Sequence, residues 1–336
     1  MVVNNERLTL QDLPKPPDDK KGWPWTKESK LYFKKNQQDS TFPKISIVTP
    51  SYNQGQYLEE TIRSVLLQGC PNLEYIIIDG GSTDNSIEII KKYAPYLSYW
   101  VSEPDQGQSH AINKGFAKST GDYIAWMNSD DCYMQNALRD IFINSQGASY
   151  DFIHGGTYVG EKLNNRKIIQ AKRTKIFAVK YLLRFFWNVE YIIPSQSAFV
   201  SRQLFNKVGY LDEDLHFCMD FEWFVRMALE NPTAYYCQQP ICFYRVYQHT
   251  KTATSQDQVH AEAVKIAKQY SDHLTFDEQK ILFKLIECSD MLEEFRAYRH
   301  KPPLKTLFRH IFEVPTEVLG NRRFLGVLRR TLLGGT

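Results

Sequence analysis

Four short apolar runs alternate with segments of helical period, and this alternation narrows the possible folds sharply. The runs are KISIVT (44–49), LEYIIID (73–79), SYWVS (98–102) and DYIAWMN (122–128). Between the first two, YLEETIRSVLLQ (57–68) places Leu58, Ile62, Val65 and Leu66 on one helical face. IEIIKKY (87–93), SHAINKGFAKS (109–119) and ALRDIF (137–142) read as further helices, the first capped by STDNS (82–86). Strands that alternate with helices predict a mostly parallel sheet with helices on both faces. Ligands of such sheets bind beyond the carboxyl ends of the strands. Here those ends carry TPSYN, DGGSTD, SEPDQGQ and NSDD, all polar and two of them rich in glycine.

Beyond about residue 150 the pattern is weaker. DFIHGGTYV (151–159) reads as a strand and IIPSQSAFVS (192–201) as extended chain. CMDFEWFVRMALE (218–230) is a helix with Phe221, Phe224, Val225 and Ala228 as its apolar stripe. Residues 258–300 are mostly helical in pattern, and residues 302–336 are basic and amphipathic. The first 43 residues, rich in proline and charge, read as an extended arm docked by Trp23 and Trp25 of GWPWT. The expected divisions are an arm at 1–43, a catalytic domain at 44–255 and a helical region at 256–336.

Several classes are excluded. A net charge of +3 on 336 residues is too small to indicate nucleic acid as a partner. The six cysteines, at 70, 132, 218, 237, 242 and 288, include no CxxC pair, so no zinc site or disulfide framework is expected. The polar N-terminus lacks the apolar core of a signal peptide, and no apolar run reaches the roughly 18 residues of a spanning helix. A cytoplasmic location is expected. No G-x-G-x-x-G follows a strand, and neither a P-loop nor a G-x-S-x-G elbow is present.

The candidate residues cluster at the strand ends. Asp130 and Asp131 follow the fourth strand, where hard oxygen ligands suit Mg²⁺ or Mn²⁺. A turn whose aspartate caps the next helix gives the same pattern. Asp79 ends a buried strand, and Gly80 and Gly81 let a ligand approach the backbone closely, or simply close a tight turn with it. Tyr52 can stack on a base or pack at the domain edge. Asp220 and Glu222 open an apolar helix, whose dipole favours their charged forms. That suits a general base, or merely a stable helix. A helical pair between Glu222 and Arg226 is also open. His249 lies in a polar loop without metal-ligand spacing.

Taken together, SIVTPSYNQGQYLEETIRSVLLQ, EYIIIDGGSTDNS, AINKGFAKSTGDYIAWMNSDD and VGYLDEDLHFCMDFEWFVRMA resemble the family 2 glycosyltransferases of bacterial glycan biosynthesis. Those are inverting enzymes of the GT-A fold, and the resemblance runs from about Lys44 to Thr254. It implies a nucleotide-sugar half (44–135) and an acceptor half (136–255). Pro50 and Tyr52 would border the nucleobase, and Asp79 would sit in the nucleotide site. Asp131 would be the direct metal ligand, with Asp130 near the ribose and sharing the metal site. Asp220 would be the catalytic base. Three positions depart from the family pattern: Met219 replaces a supporting acid, Gly80 an aspartate that reads the base, and Tyr247 a histidine.

The implied reaction moves a sugar from a nucleotide-sugar, with a UDP-sugar favoured, to a hydroxyl of a glycan or lipid-linked acceptor. A divalent cation would assist, and a place in polysaccharide biosynthesis follows. A non-catalytic nucleotide-sugar or glycan-binding subunit is the alternative, although a binder needs no base. A sugar-phosphate nucleotidyltransferase is disfavoured, because TPSYNQGQ lacks the basic residues of such a loop. Residues 302–336 carry six Lys and Arg against two Glu, interleaved with Phe324, Leu325, Val327, Leu328, Leu332 and Leu333. Such a helix suits peripheral contact with the inner face of a membrane, or packing on the catalytic domain.

Overall fold

The computed structural model describes residues 7–30, 42–144, 149–163, 165–169, 177–186, 193–248 and 255–297. The basic tail at 302–336 and His249 lie outside the described residues. The strands are β1 (Ile45–Ser51), β2 (Leu73–Asp79), β3 (Tyr99–Ser102), β4 (Tyr123–Trp126), β5 (Cys132–Tyr133), β6 (Phe152–Lys162), β7 (Asn165–Ile169), β8 (Ala198–Ser201) and β9 (Ala234–Arg245). The helices are α1 (Gly55–Leu66), α2 (Ser86–Tyr93), α3 (Gln108–Lys118), α4 (Ala137–Asn144), α5 (Val179–Leu182), α6 (Arg202–Val208), α7 (Met219–Leu229), α8 (Gln256–Gln269) and α9 (Phe276–Ala297).

All strands join one sheet in the order β3-β2-β1-β4-β8-β6-β9-β5, with β7 paired to β6. The β3-β2-β1-β4 half is parallel, as the strand–helix alternation predicts. β8 then pairs antiparallel with β4 and β6, while β6 runs parallel to β9. The register brings Ser51, Asp79 and Ser102 level at the carboxyl ends of β1, β2 and β3.

Both faces of the parallel half are covered, which explains the unbroken apolar runs. Val48, Ile76, Ile78 and Ile124 pack on one side with Phe116 of α3 and Trp223 and Phe224 of α7. Ile45, Ile47, Tyr75 and Ile77 point to the other side, against Leu58, Ile62 and Val65 of α1, Ile90 of α2 and Leu138 of α4. Successive residues of a strand alternate between faces, so each run is mostly apolar, and the polar exceptions Ser46 and Glu74 pair with each other.

The arm is docked as its tryptophans predict. Trp23 and Trp25 are buried, and the indole N–H of Trp23 donates to the Tyr133 carbonyl at 2.8 Å. The arm also closes a cage around Arg63 of α1, which is wholly buried. Its guanidinium donates to the carbonyls of Pro14, Pro24 and Trp25 and to the Tyr93 hydroxyl, at 2.8 to 3.2 Å.

Local details differ from expectation. No side chain caps α2 at its N-cap Asn85. Instead Asp84 accepts the N–H of Ser86 at 2.9 Å and, with its other oxygen, the N–H of Gly55 at 2.9 Å. One carboxylate thus serves the first turns of two helices. The sequence carries no clear strand signal for β9, because Gln238, Gln239 and Pro240 interrupt its pattern; the β6–β9 register shifts at Gly156, which faces Pro240. Among the described residues no helix is long and apolar enough to cross a membrane.

Candidate active site

The first loops stitch themselves together. Asp79 is fully buried and accepts four hydrogen bonds: from Gly81 N–H (3.1 Å), Ser82 N–H (2.9 Å), Ser82 hydroxyl (2.6 Å) and Ser102 hydroxyl (2.7 Å). It organises the DGGS turn from beneath. Asn53, in the left-handed region at φ 51°, donates its N–H to the Ser82 hydroxyl and accepts the Thr83 N–H, each at 2.8 Å. Tyr52 stands above this frame with 61% of its surface exposed, while Pro50 is buried in β1. A Cβ at Gly80 would lie 2.5 Å from the Asp105 carboxylate, so the loop after β3 already fills that space.

The acidic pair divides sharply. Asp131 is only 1% exposed. One of its oxygens accepts the Arg245 N–H at 2.7 Å; the other accepts the Gln196 amide at 2.6 Å and the Asn128 amide at 3.1 Å. Asp130 is half-buried and accepts the Tyr247 hydroxyl at 3.1 Å, with its own backbone N–H as a further donor. Burial raises the pKa of both. For Asp131 the Asp130 charge raises it further, against the hydrogen bonds. Folding therefore holds two carboxyls in a place that disfavours their charged forms.

Arg245, at the end of β9, fixes this loop from behind. Its Nε donates to the Asp130 carbonyl at 2.7 Å, and its remaining donors reach the Glu161 carbonyl and Glu60. The guanidinium also stacks on Tyr57 with its carbon 4.5 Å from the ring centroid. Thr61 of α1 donates to the carbonyls of Ser129 and Asp131. Gln108, at the start of α3, donates to the Asn128 side chain at 3.0 Å.

Asp220 is the second residue of α7, half-buried, with its carboxylate accepting the Phe221 N–H at 2.8 Å. The loop before α7 docks on α3: Asn113 exchanges hydrogen bonds with Leu211, and Ser109 donates to the Leu215 carbonyl. One helix, α3, thus contacts both the acidic loop and the segment leading to Asp220. The Glu222–Arg226 pair forms, at 2.7 Å.

Among the described residues no three His, Cys, Asp or Glu side chains gather into a metal-binding group. One or two carboxylates at the crevice still fit a hard cation whose other ligands are diphosphate oxygens and water. Sequence reasoning missed Gln196, Gln108 and Arg245. Their signal is weak, since each acts on the acidic loop from a different part of the chain.

The Glycosyl transferase family 2 model matches residues 46–209. An uncharacterized glycosyltransferase of Mycobacterium tuberculosis is 30% identical over 190 residues, 56% of this chain and 70% of that protein. Another, from Rickettsia typhi, is 28% identical over 228 residues, 66% of this chain and 70% of the relative. Among solved structures, S. aureus TarS 1-349 in complex with UDP-GlcNAc aligns with a TM-score of 0.61 at 16% identity, over 87% of this chain and 92% of that one. The mannosyltransferase PcManGT from Pyrobaculum calidifontis, in complex with GDP-Man and Mn²⁺, aligns at 0.50 and 17% identity, over 89% of each chain. Fold, strand-end chemistry and sequence similarity agree: the chain belongs to glycosyl transferase family 2 and is a glycosyltransferase of the GT-A fold.

Proposed function

We propose that this glycosyltransferase moves a sugar from a nucleotide-sugar, with a UDP-sugar favoured, to a hydroxyl of a glycan or lipid-linked acceptor, inverting the anomeric centre. The observation that carries this reading is the asymmetry of the acidic pair. Asp131 is buried and held by three N–H donors, whereas Asp130 is half-buried and takes the Tyr247 hydroxyl. The sequence alone ranked Asp131 as the direct metal ligand; burial supports exchanging the roles. Asp130 would hold Mg²⁺ or Mn²⁺, and Asp131 would hold the loop. When bound, the cation would stabilise the charge that develops on the leaving diphosphate.

The remaining roles belong to the chain itself. Pro50 and Tyr52 border the base, and Asp79 shapes the nucleotide site by holding the turn at 80–82. Asp220 takes the proton of the acceptor hydroxyl as that oxygen attacks the anomeric carbon from the face opposite the diphosphate. The C–O bond to the acceptor forms as the bond to the diphosphate breaks, and a single displacement inverts the centre. The neighbours' complexes with UDP-GlcNAc and with GDP-Man and Mn²⁺ support a nucleotide-sugar and a divalent cation.

A thermal-shift screen of UDP- and GDP-sugars with and without Mn²⁺ tests the reading. One donor class should stabilise the protein only with the cation. Equal stabilisation in EDTA would remove the metal from the proposal. The alternative of a non-catalytic binder is separated by nucleotide release from the stabilising donor.

A further inference from the structure

We propose that Glu262 of α8 is the positioning residue for Asp220, so that the helical region following the catalytic sheet sets the catalytic helix. This rests on Asp220 acting as the base. α7 begins at Met219, and its N-cap Cys218 provides no side-chain hydrogen bond to the helix. The segment that enters the helix is held instead by Glu262. The Glu262 carboxylate accepts three consecutive backbone N–H groups, from His216 (2.9 Å), Phe217 (2.8 Å) and Cys218 (2.9 Å). The Cys218 thiol, in turn, donates to the Val259 carbonyl one turn earlier on α8.

A second contact grips the next stretch of the same helix. The Tyr270 hydroxyl, just past the end of α8, donates to Glu222 at 2.5 Å, and Glu222 also holds Arg226. Asp220 lies between these two anchors, two residues after Cys218 and two before Glu222. Three donors converging on one carboxylate fix where the chain enters the helix. The Tyr270 contact fixes the rotation of its first turn. Both anchors come from beyond residue 209, where the family match ends. A base must sit within hydrogen-bond reach of the hydroxyl it deprotonates, and a shift of about 1 Å can cost roughly 10²-fold in rate.

The test uses the full chain and five proteins: wild type, Glu262→Ala, Glu262→Gln, Glu278→Ala and Asp220→Asn. Glu278 holds the start of α9 through Thr275 and serves as the control for general loss of stability. Binding of UDP and GDP with Mn²⁺, nucleotide release from the sugar donor that wild type turns over, and amide hydrogen exchange are measured. Glu262→Ala should lose about 10²-fold in kcat, keep its nucleotide Kd within about twofold, and gain exchange at 216–218. Glu262→Gln, which retains an acceptor oxygen, should fall between, and Glu278→Ala should keep kcat. A kcat loss no larger than that of Glu278→Ala, a parallel loss of nucleotide affinity, or unchanged exchange at 216–218 overturns the positioning role. Full turnover by Asp220→Asn overturns instead the reading on which it rests.

Discussion

The backbone N–H of Arg245 donates to the carboxylate of Asp131 at 2.7 Å, joining residues 114 positions apart. The end of β9 is thereby tied to the loop after β4, and the Arg245 side chain completes the tie through Asp130, Glu161 and Glu60. Replacing Arg245 with alanine leaves Glu60 half-buried without its partner, a loss of about 3–5 kcal/mol for a pair removed from water. Urea unfolding measures it; a cost below about 1 kcal/mol would contradict the tie. Lysine should rescue poorly, since it lacks the planar fork that reaches three acceptors.

The two aspartates should fail differently. Asp130→Ala should leave the apo protein's melting temperature nearly unchanged and remove the extra stabilisation that Mn²⁺ gives with a nucleotide-sugar. Asp131→Ala leaves Gln196 and Asn128 without their acceptor and should cost about 1–3 kcal/mol before any ligand is added. Differential scanning fluorimetry with and without Mn²⁺ separates the two. Reversed behaviour would return the metal to Asp131.

Asp220→Asn should lower turnover by about 10²–10⁴-fold, the usual contribution of a general base. Donor affinity, measured by calorimetry, should hold. A variant that binds donor weakly but turns over normally would place Asp220 in the donor site instead.

Glu74 makes a pH prediction of definite sign. Burial pushes its pKa up, but hydrogen bonds from Lys44, Ser46 and Thr120 outweigh burial and lower it from 4.5 to about 2. A carboxyl with a depressed folded pKa stabilises the fold above its unfolded pKa and loses that stabilisation as pH falls through the folded one. Stability should therefore decline between about pH 4.5 and 2, and Glu74→Gln should flatten that decline. Identical acid unfolding of the two proteins would count against this network.

Arg63 makes the arm indispensable. Deleting residues 1–30 removes three of the four acceptors of Arg63 and uncovers it, and with the lost burial of Trp23 and Trp25 should cost about 3 kcal/mol or more. Arg63→Leu in the full chain leaves the Pro14, Pro24 and Trp25 carbonyls without their donor and should cost about 1–3 kcal/mol. If Arg63→Leu in the full chain costs nothing, the arm acts through packing alone.

Much of the fold was legible because its cause is local. A strand buried on both faces is mostly apolar along its whole length, so β1, β2 and β4 stand out, and the apolar run 73–79 coincides with β2, Leu73–Asp79. The long β9 was hidden because glutamines and a proline interrupt its run, and only its pairing with β6 makes it a strand. The residues that hold the candidate site were hidden for a related reason: Gln196, Arg245 and Glu262 are ordinary polar residues until the fold sets them against Asp131 and α7.

By itself, the sequence determined the alternation of strands and helices, the parallel half of the sheet, and the placement of Asp79 and the acidic pair at strand ends. These follow from periodicity and from apolar positions within a few residues of one another. Only the tertiary structure decided which of two adjacent aspartates is fully buried. Asp130 and Asp131 are alike in chemistry and differ only in surroundings. Those surroundings come from Gln196, 65 residues away, and Arg245, 114 residues away. Burial and hydrogen bonding at such separations are properties of the packed sheet, which no local pattern encodes.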